Sequence, residues 1–197
     1  MDRVTQSGAD LQRLTATLGP ALATQHPATG SGRVSAANGN DLASQLDIVA
    51  ACIAANAPTR IYSVSLGGFD THADEKATQS RLLGQLDQAV TNFTTTVGAG
   101  PHGPSVVVAL YSEFGRRVAA NASQGTDHGT ASNLFVLGPS VNGGLYGDQP
   151  SLTDLDQGDL KYNVDFRSVY ATLLERTLGT DADNILSTSK LPRLDFV

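Results

Sequence analysis

The feature that most constrains the fold is a continuous apolar run from Ser105 to Tyr111, which follows a long amphipathic segment. Strands that are covered on both faces have such unbroken apolar sequences, whereas half-exposed strands alternate between apolar and polar residues. Two further β-rich runs occupy 60–66 and 133–137. The amphipathic segment 75–97 is predicted to be a helix whose buried face carries Leu82, Leu83, Leu86, Val90 and Phe93. Because strands alternate with helices, the sequence predicts an α/β fold, with a mostly parallel sheet and helices on both faces.

Two aspartates mark predicted helix starts. Asp41 precedes one apolar-periodic segment, and Asp165 precedes the last one, which Gly179 ends. Aspartate is a preferred N-cap because its carboxylate accepts hydrogen bonds from the free N–H groups of the first turn. A further helix is predicted over 8–19, where leucines recur at helical spacing.

The length of 197 residues suits one domain of ordinary to large size. We therefore predict a single α/β domain over 1–197, in which 1–40 form an N-terminal helix and loop and 41–197 form the core. Residues 138–164 are dense in glycine, asparagine, aspartate and proline, and are predicted to be mostly loop or hairpin.

Composition excludes several classes of partner. The chain has 13 Lys and Arg against 19 Asp and Glu, a net charge of −6, and only Arg116 and Arg117 form a basic pair. Nucleic-acid binding depends on clustered basic residues, so no nucleic-acid partner is expected. Cys52 is the one cysteine, which excludes an intrachain disulfide or a cysteine-based zinc site, and its apolar surroundings predict burial. No run approaches the roughly 20 apolar residues that cross a bilayer, and no signal pattern is present, so we expect a soluble chain without a membrane partner.

Residues suited to metal binding and catalysis fall in three glycine-containing segments, 67–72, 112–116 and 125–129. They supply three carboxylates, two imidazoles and one guanidinium, from Asp70, His72, Glu113, Arg116, Asp127 and His128. Ligands of open parallel sheets bind beyond the carboxyl ends of the strands, so we expect these segments to converge. Carboxylate and imidazole are ligands for zinc, manganese or iron, and carboxylate with water suits calcium or magnesium. The other histidines, His26 and His102, lie elsewhere and are predicted to be structural or solvated.

Each of these residues also has a structural interpretation. Asp70 could cap the following helix, and His72 could be an exposed loop residue. Glu113 and Arg116 could form an i,i+3 pair, worth only about 0.2–0.5 kcal/mol. Residues 127–128 could form a polar turn between glycines. Their joint placement in three such segments favours a metal site over the separate structural interpretations.

Taken together, the segments resemble the domain-of-unknown-function family numbered 1501, bacterial proteins with an alkaline-phosphatase-like, sulfatase-related fold. The matching text is Ser-Leu-Gly-Gly-Phe-Asp-Thr-His at 65–72, Ser-Glu-Phe-Gly-Arg-Arg-Val at 112–118 and Gly-Thr-Asp-His-Gly-Thr at 125–130, with further likeness at 143–147 and 165–170. The resemblance runs in order from about residue 41 to the C-terminus. It implies the fold of that superfamily, of which this chain looks like the C-terminal half.

The resemblance also implies roles for the site residues. Asp70 and His72 would bind at one metal position, and the Asp-His pair at 127–128 would bind at the other. Glu113 would be a ligand or a general base. Arg116 would hold an anionic substrate group or orient Glu113.

One departure from the superfamily shapes the expected mechanism. Nothing here matches its nucleophilic Ser or Thr with the accompanying metal-binding Asp, so one metal ion and an activated water are favoured over covalent catalysis. Glu113 or His128 would accept the proton. Ser112 and Thr71 are fallback nucleophiles.

The sequence therefore predicts a metal-dependent hydrolase acting on carboxylic esters or lactones, such as acyl-lactone signals, with zinc, manganese or calcium as its ion. One alternative is a phosphate or sulfate ester hydrolase of alkaline-phosphatase type. Another is a non-catalytic metal-binding or scaffold fragment of a larger protein. An exposed sheet edge could be completed in a homodimer. Substrate specificity is expected in the loops over 27–40 and 138–164. Members of the family are often exported, but this chain carries no signal, so its location stays open.

Overall fold

The computed structural model describes residues 41–187 and 191–197, together with 15, 16 and 19. The predicted helix over 8–19 therefore lies largely outside the described residues, and the predicted loop over 27–40 lies wholly outside them. The described elements, in chain order, are α1 (Leu42–Ala54), α2 (Glu75–Gly98), a 3₁₀ turn (Gly103–Ser105), β1 (Val108–Leu110), β2 (Gly115–Ala120), β3 (Thr126–Gly129), β4 (Phe135–Leu137), α3 (Phe166–Arg176) and α4 (Ala182–Leu186).

The described chain groups into two compact units. The first contains residues 41–68 with 82–103, and the second contains 69–81 with the described residues from 104 onward. The single domain over 1–197 remains a prediction.

The first unit has a helical core. Helix α1 begins as predicted, since the Asp41 carboxylate accepts a hydrogen bond from the Ala43 N–H at 3.1 Å. Cys52 is buried and unpaired, as expected. Helix α2 also forms as predicted, but Leu83 is 53% exposed instead of buried. The buried apolar side chains of the unit are Leu42, Leu46, Val49, Ala50, Ala51, Cys52, Leu82, Ala89, Phe93 and Val97.

The predicted parallel sheet with helices on both faces is wrong. The part of the chain that the structure describes contains two antiparallel two-stranded sheets, β1 with β4 and β2 with β3. Only three residues of the apolar run 105–111 form a strand, and they are half-buried. Residues 60–66 form no strand. An apolar run predicts burial, but the number and direction of neighbouring strands depend on distant parts of the chain. An alkaline-phosphatase-like fold is therefore not what these residues form.

The β2–β3 hairpin was not predicted. It pairs Gly115 with Gly129 and Arg116 with His128, and its register shifts before Ala120 pairs with Thr126. Such a shift is typical of a β-bulge, which re-aims the side chains beside it. The hairpin therefore places the arginine of one predicted segment directly opposite the histidine of another.

Helix α3 begins at the predicted N-cap, since the Asp165 carboxylate accepts a hydrogen bond from the Arg167 N–H at 2.9 Å. Helix α4, capped by Asp181, was not predicted. Residues 138–164 contain no helix and only one isolated bridge, as the sequence indicated.

Polar contacts tie the C-terminal residues to α3 and α4. The fully buried Thr172 hydroxyl accepts a hydrogen bond from the Leu194 N–H at 2.9 Å. The Arg193 guanidinium pairs with Glu175 at 2.6 Å and with Asp183 at 2.8 Å. None of the helices that the structure describes has the length and apolar character needed to cross a bilayer.

Candidate metal centre

Two imidazoles and one carboxylate meet within the second unit. Oδ1 of Asp70 lies 2.8 Å from Nε2 of His128 and 3.1 Å from Nε2 of His72. These three atoms all lie within 4.8 Å of one another. We call Asp70, His72 and His128 the Asp–His–His cluster. Their side chains are 68%, 50% and 41% exposed, so solvent and small molecules reach the cluster directly.

The Asp–His–His cluster has the donor set of a divalent cation site. One carboxylate oxygen with two imidazole nitrogens is the ligand type of catalytic zinc enzymes, which keep a further position open. Bonds of about 2.0–2.2 Å in tetrahedral geometry place ligand atoms roughly 3.3 Å apart. The separations of 3.1 and 2.8 Å between Asp70 and the two histidines would have to widen by a few tenths of an ångström, and the two imidazole nitrogens, which lie within 4.8 Å of each other, would have to adjust to the same spacing. Because the three side chains are exposed, rotations about their bonds can make these adjustments, and the donor types suit such an ion.

Asp127 lies beside the other nitrogen of His72. Its Oδ1 is 3.5 Å from Nδ1 of His72, and the Asn121 amide donates to the same oxygen at 3.4 Å. A metal-binding histidine commonly directs its second ring nitrogen to a carboxylate, which fixes its tautomer and orientation. Asp127 therefore lies where it can orient the His72 ring, and it does not belong to the Asp–His–His cluster.

Ring contacts hold the His128 imidazole. The Phe114 ring stacks on it with centroids 3.9 Å apart and an interplanar angle of 10°. The ring centroids of His72 and His128 are 4.8 Å apart. Because one face of His128 is covered by Phe114, its orientation toward Asp70 is set by packing as well as by the hydrogen bond.

The charge state of Asp70 suits a cation ligand. The hydrogen bond from His128 lowers the pKa of the Asp70 carboxyl, and the neighbouring His72 lowers it further. These effects outweigh the opposing influence of partial desolvation. Asp70 is therefore a carboxylate throughout the neutral pH range.

Glu113 and Arg116 are placed differently from one another. Glu113 is exposed and forms no hydrogen bond or ion pair with any residue that the structure describes. The Glu113–Arg116 pair considered from the sequence does not form, because the Arg116 guanidinium pairs with Glu75 instead, at 3.4 Å. Arg116 also lies over the Phe114 ring, with Cζ 5.2 Å from its centroid.

Sequence reasoning missed two residues that support the centre. Glu75, whose side chain is 13% exposed, accepts a hydrogen bond from the Thr126 hydroxyl at 2.7 Å. Asn121 donates to the His72 carbonyl at 3.0 Å and accepts from the Gly125 N–H at 3.1 Å. The stretch 121–125 carries turn-forming residues that could have indicated a hairpin, whereas an acidic residue in a first helical turn such as Glu75 gives no distinct signal.

Gly125 allows the hairpin turn to approach the backbone of His72 closely. A Cβ atom at this position would lie 2.5 Å from the carbonyl carbon and oxygen of His72 and 2.8 Å from the nitrogen of Ala73. Real Cβ contacts are not that short. Glycine is therefore needed here for space, and the glycine noted in the sequence has a definite structural role.

Comparison with known proteins identifies the family. The family model described as "Protein of unknown function (DUF1501)" matches residues 5–190, so the chain belongs to this family. The resemblance drawn from the motifs is confirmed at that level, and the match begins before residue 41. No curated protein matches the chain, and no solved structure does.

Proposed function

We propose that this chain is a metal-dependent hydrolase that uses an activated water to cleave carboxylic esters or lactones. The observation that carries the proposal is the Asp–His–His cluster, in which three ligand-type atoms lie within 4.8 Å of one another on exposed side chains. Structural metal sites are enclosed by four protein ligands, whereas a three-residue site open to solvent leaves room for water and substrate. The openness of the cluster therefore favours catalysis.

The residues divide into holding and proton-moving roles. Asp70, His72 and His128 would hold the ion, and Asp127 would keep the His72 ring in the tautomer that presents Nε2. A bound ion supplies Lewis-acid chemistry, lowering the pKa of water to about 7 and polarising the substrate oxygen. Glu113 would accept the proton, because it is exposed and directly precedes Phe114, whose ring lies on His128.

The identity of the ion follows only in part from the donors. Two imidazoles favour zinc or manganese over calcium, which prefers a full set of oxygen ligands. A relation to the alkaline-phosphatase-like enzymes, with this chain as their C-terminal half, rests on the order of the motifs and receives no support from the fold. Hydrolysis of phosphate or sulfate esters is accordingly the second candidate, and a homodimer stays a proposal.

The test combines metal content with turnover. Chain loaded with Zn²⁺ or Mn²⁺ and then desalted should retain one ion per chain by elemental analysis. It should also hydrolyse nitrophenyl esters or a lactone, and lose that activity on EDTA treatment. Asp70→Asn and His128→Ala should each lose the ion. His102→Ala, which changes a histidine that is not a member of the cluster, should retain both ion and activity.

The outcomes separate the candidates. Turnover of nitrophenyl phosphate or sulfate, but not of carboxylic esters, would favour the second candidate. Metal-dependent melting without turnover of any ester would indicate a stabilising ion in a non-catalytic module. Activity that survives exhaustive chelation would remove the ion from the mechanism altogether. Glu113→Gln should lower turnover while leaving metal content unchanged, and an unaffected rate would refute its role.

A further inference from the structure

All five N–H donors of the Arg116 guanidinium face acceptors of the protein itself. One terminal nitrogen donates to the carbonyl oxygens of Thr71 and Thr126, each at 2.6 Å. The other donates to the Phe69 carbonyl and to the Thr71 hydroxyl. The remaining N–H, on Nε, faces Glu75 at 3.4 Å. A guanidinium has five N–H groups, so none is left for an anionic substrate.

These contacts join the two parts of the chain that carry the Asp–His–His cluster. Phe69 and Thr71 alternate with Asp70 and His72 along one segment, and Thr126 stands two residues before His128 on β3. Arg116 on β2 therefore fastens the backbone of the first segment to the hairpin that bears the third ligand.

Glu75 completes this arrangement from the first turn of α2. One carboxylate oxygen faces Arg116, and the other accepts the Thr126 hydroxyl at 2.7 Å. The two side chains are only 21% and 13% exposed, so the pair is partly shielded from solvent. The amide of Gln79 adds weaker contacts to Glu75 and to the Phe69 carbonyl.

We infer that Arg116, held by Glu75, is a positioning residue that sets the spacing between Asp70, His72 and His128. It does not bind substrate. The inference deepens the proposed function and rests on it as far as metal binding is concerned. The planar guanidinium of Arg116 matters because its donors point in fixed directions to three separate carbonyl groups. A lysine, with three donors on one nitrogen, keeps the charge but not this geometry.

The experiment compares Arg116→Lys and Glu75→Gln with the matched control Arg117→Lys. Arg117 is adjacent on β2 and pairs with Asp159 at 3.4 Å, so the control makes the same chemical change away from the cluster. Each folded variant is titrated with Co²⁺ alone. Loss of groups that orient metal ligands typically costs 10- to 100-fold in affinity, and we expect about that loss for Arg116→Lys. Glu75→Gln should show a smaller loss, and Arg117→Lys should stay within about twofold of wild type.

Two further readouts distinguish positioning from general destabilisation. At saturating Co²⁺, the visible absorption bands of Arg116→Lys should differ from those of wild type, because the ligands adopt another geometry. Without added metal, the nuclear Overhauser contact between the rings of His72 and His128 should weaken in Arg116→Lys and persist in Arg117→Lys. If Arg116→Lys does not fold, Glu75→Gln decides by the same measurements.

Failure of the inference and failure of the proposed function give different results. If wild type does not bind Co²⁺, the proposed function fails, and the ring–ring contact alone still tests the positioning. If wild type binds Co²⁺ but Arg116→Lys keeps its affinity, spectrum and ring contact, the inference is overturned. A loss of affinity in Arg117→Lys equal to that in Arg116→Lys would also overturn it, because the effect would then be one of general stability and not of the contacts that Arg116 makes.

Discussion

A single methyl group at Gly125 provides a sharp test of the candidate metal centre. In Gly125→Ala the new carbon would lie 2.5 Å from the backbone carbonyl of His72. Carbon atoms in contact are ordinarily about 3.5–4.0 Å apart. The hairpin turn and the His72 backbone must therefore separate by about 1 Å, since the clashing atoms belong to the backbone and cannot rotate away.

That displacement is large for a metal site. Ligand distances in such sites hold within about 0.2 Å, and a 1 Å misplacement can cost about 100-fold in function. We expect Gly125→Ala to bind Co²⁺ or Zn²⁺ about 10- to 100-fold more weakly than wild type. The overlap should also lower the free energy of unfolding by about 1–3 kcal/mol.

Calorimetric titration and thermal melting measure both effects. Gly84→Ala is the matched control, because no atom lies within 4 Å of a Cβ built on this exposed glycine of α2. It should bind metal as wild type does and melt higher, since alanine is preferred to glycine in a helix by about 1 kcal/mol. Wild-type metal affinity in Gly125→Ala would refute the close approach of the turn to His72.

Three further predictions concern stability. Thr172→Val should lower the free energy of unfolding by about 1–3 kcal/mol in urea, because it leaves the Leu194 N–H without its acceptor; a change below 0.5 kcal/mol (about the scatter of surface substitutions) would contradict this. Phe93→Ala should lower it by about 3–5 kcal/mol, since the ring is only 6% exposed, and a value near zero would argue against a packed first unit. The hydrogen bond from Arg193 lowers the pKa of Glu175. The pair therefore stabilises the fold above the unfolded-state pKa near 4.5, and this stability is lost as the pH falls through the lower folded-state pKa. Urea midpoints from pH 7 to 3 should fall less in Glu175→Gln than in wild type, and equal falls in the two proteins would refute this prediction.

Local signals predicted three of the four described helices, and α4 was missed. Asp41 and Asp165 cap helices because a side-chain oxygen reaches N–H groups only two residues away. The amphipathic pattern located α2, whose Phe93 and Val97 are buried. The prediction that Leu83 is buried was wrong because the buried face of this helix is narrower than the apolar pattern suggested. Information that spans a few residues was therefore sufficient for the starts of α1, α2 and α3.

Pairing between strands was not predictable in the same way. The partner of Val108 is Leu137, and nothing near either residue specifies that pairing or its antiparallel direction. The strand Gly115–Ala120 has no apolar alternation, and four of its six residues are exposed, so its pattern gave no strand signal. The parallel sheet was inferred from the order of elements alone, and that order permits other pairings.

The candidate site could be predicted in part from the sequence because its residue types are chemically distinctive. Asp70, His72 and His128 were identified by imidazole and carboxylate groups in glycine-containing segments, and the structure brings them together. Their roles as ligands stay predictions. The supporting contacts of Arg116 could not be predicted from the sequence, because they go to backbone carbonyl groups, which every residue carries. Chemistry could be read from side chains, but geometry required the fold.

The residues of the Asp–His–His cluster come from distant points in the chain. Asp70 and His72 are two positions apart, whereas Asp70 and His128 are separated by 58. Bringing together the ends of a flexible chain of that length costs about 3–4 kcal/mol in entropy. An ion that joins all three residues would thus act as a reversible cross-link on a long loop, comparable in span to many disulfides. It would bind weakly to the nascent or unfolded chain, and its capture would report that the hairpin has already formed.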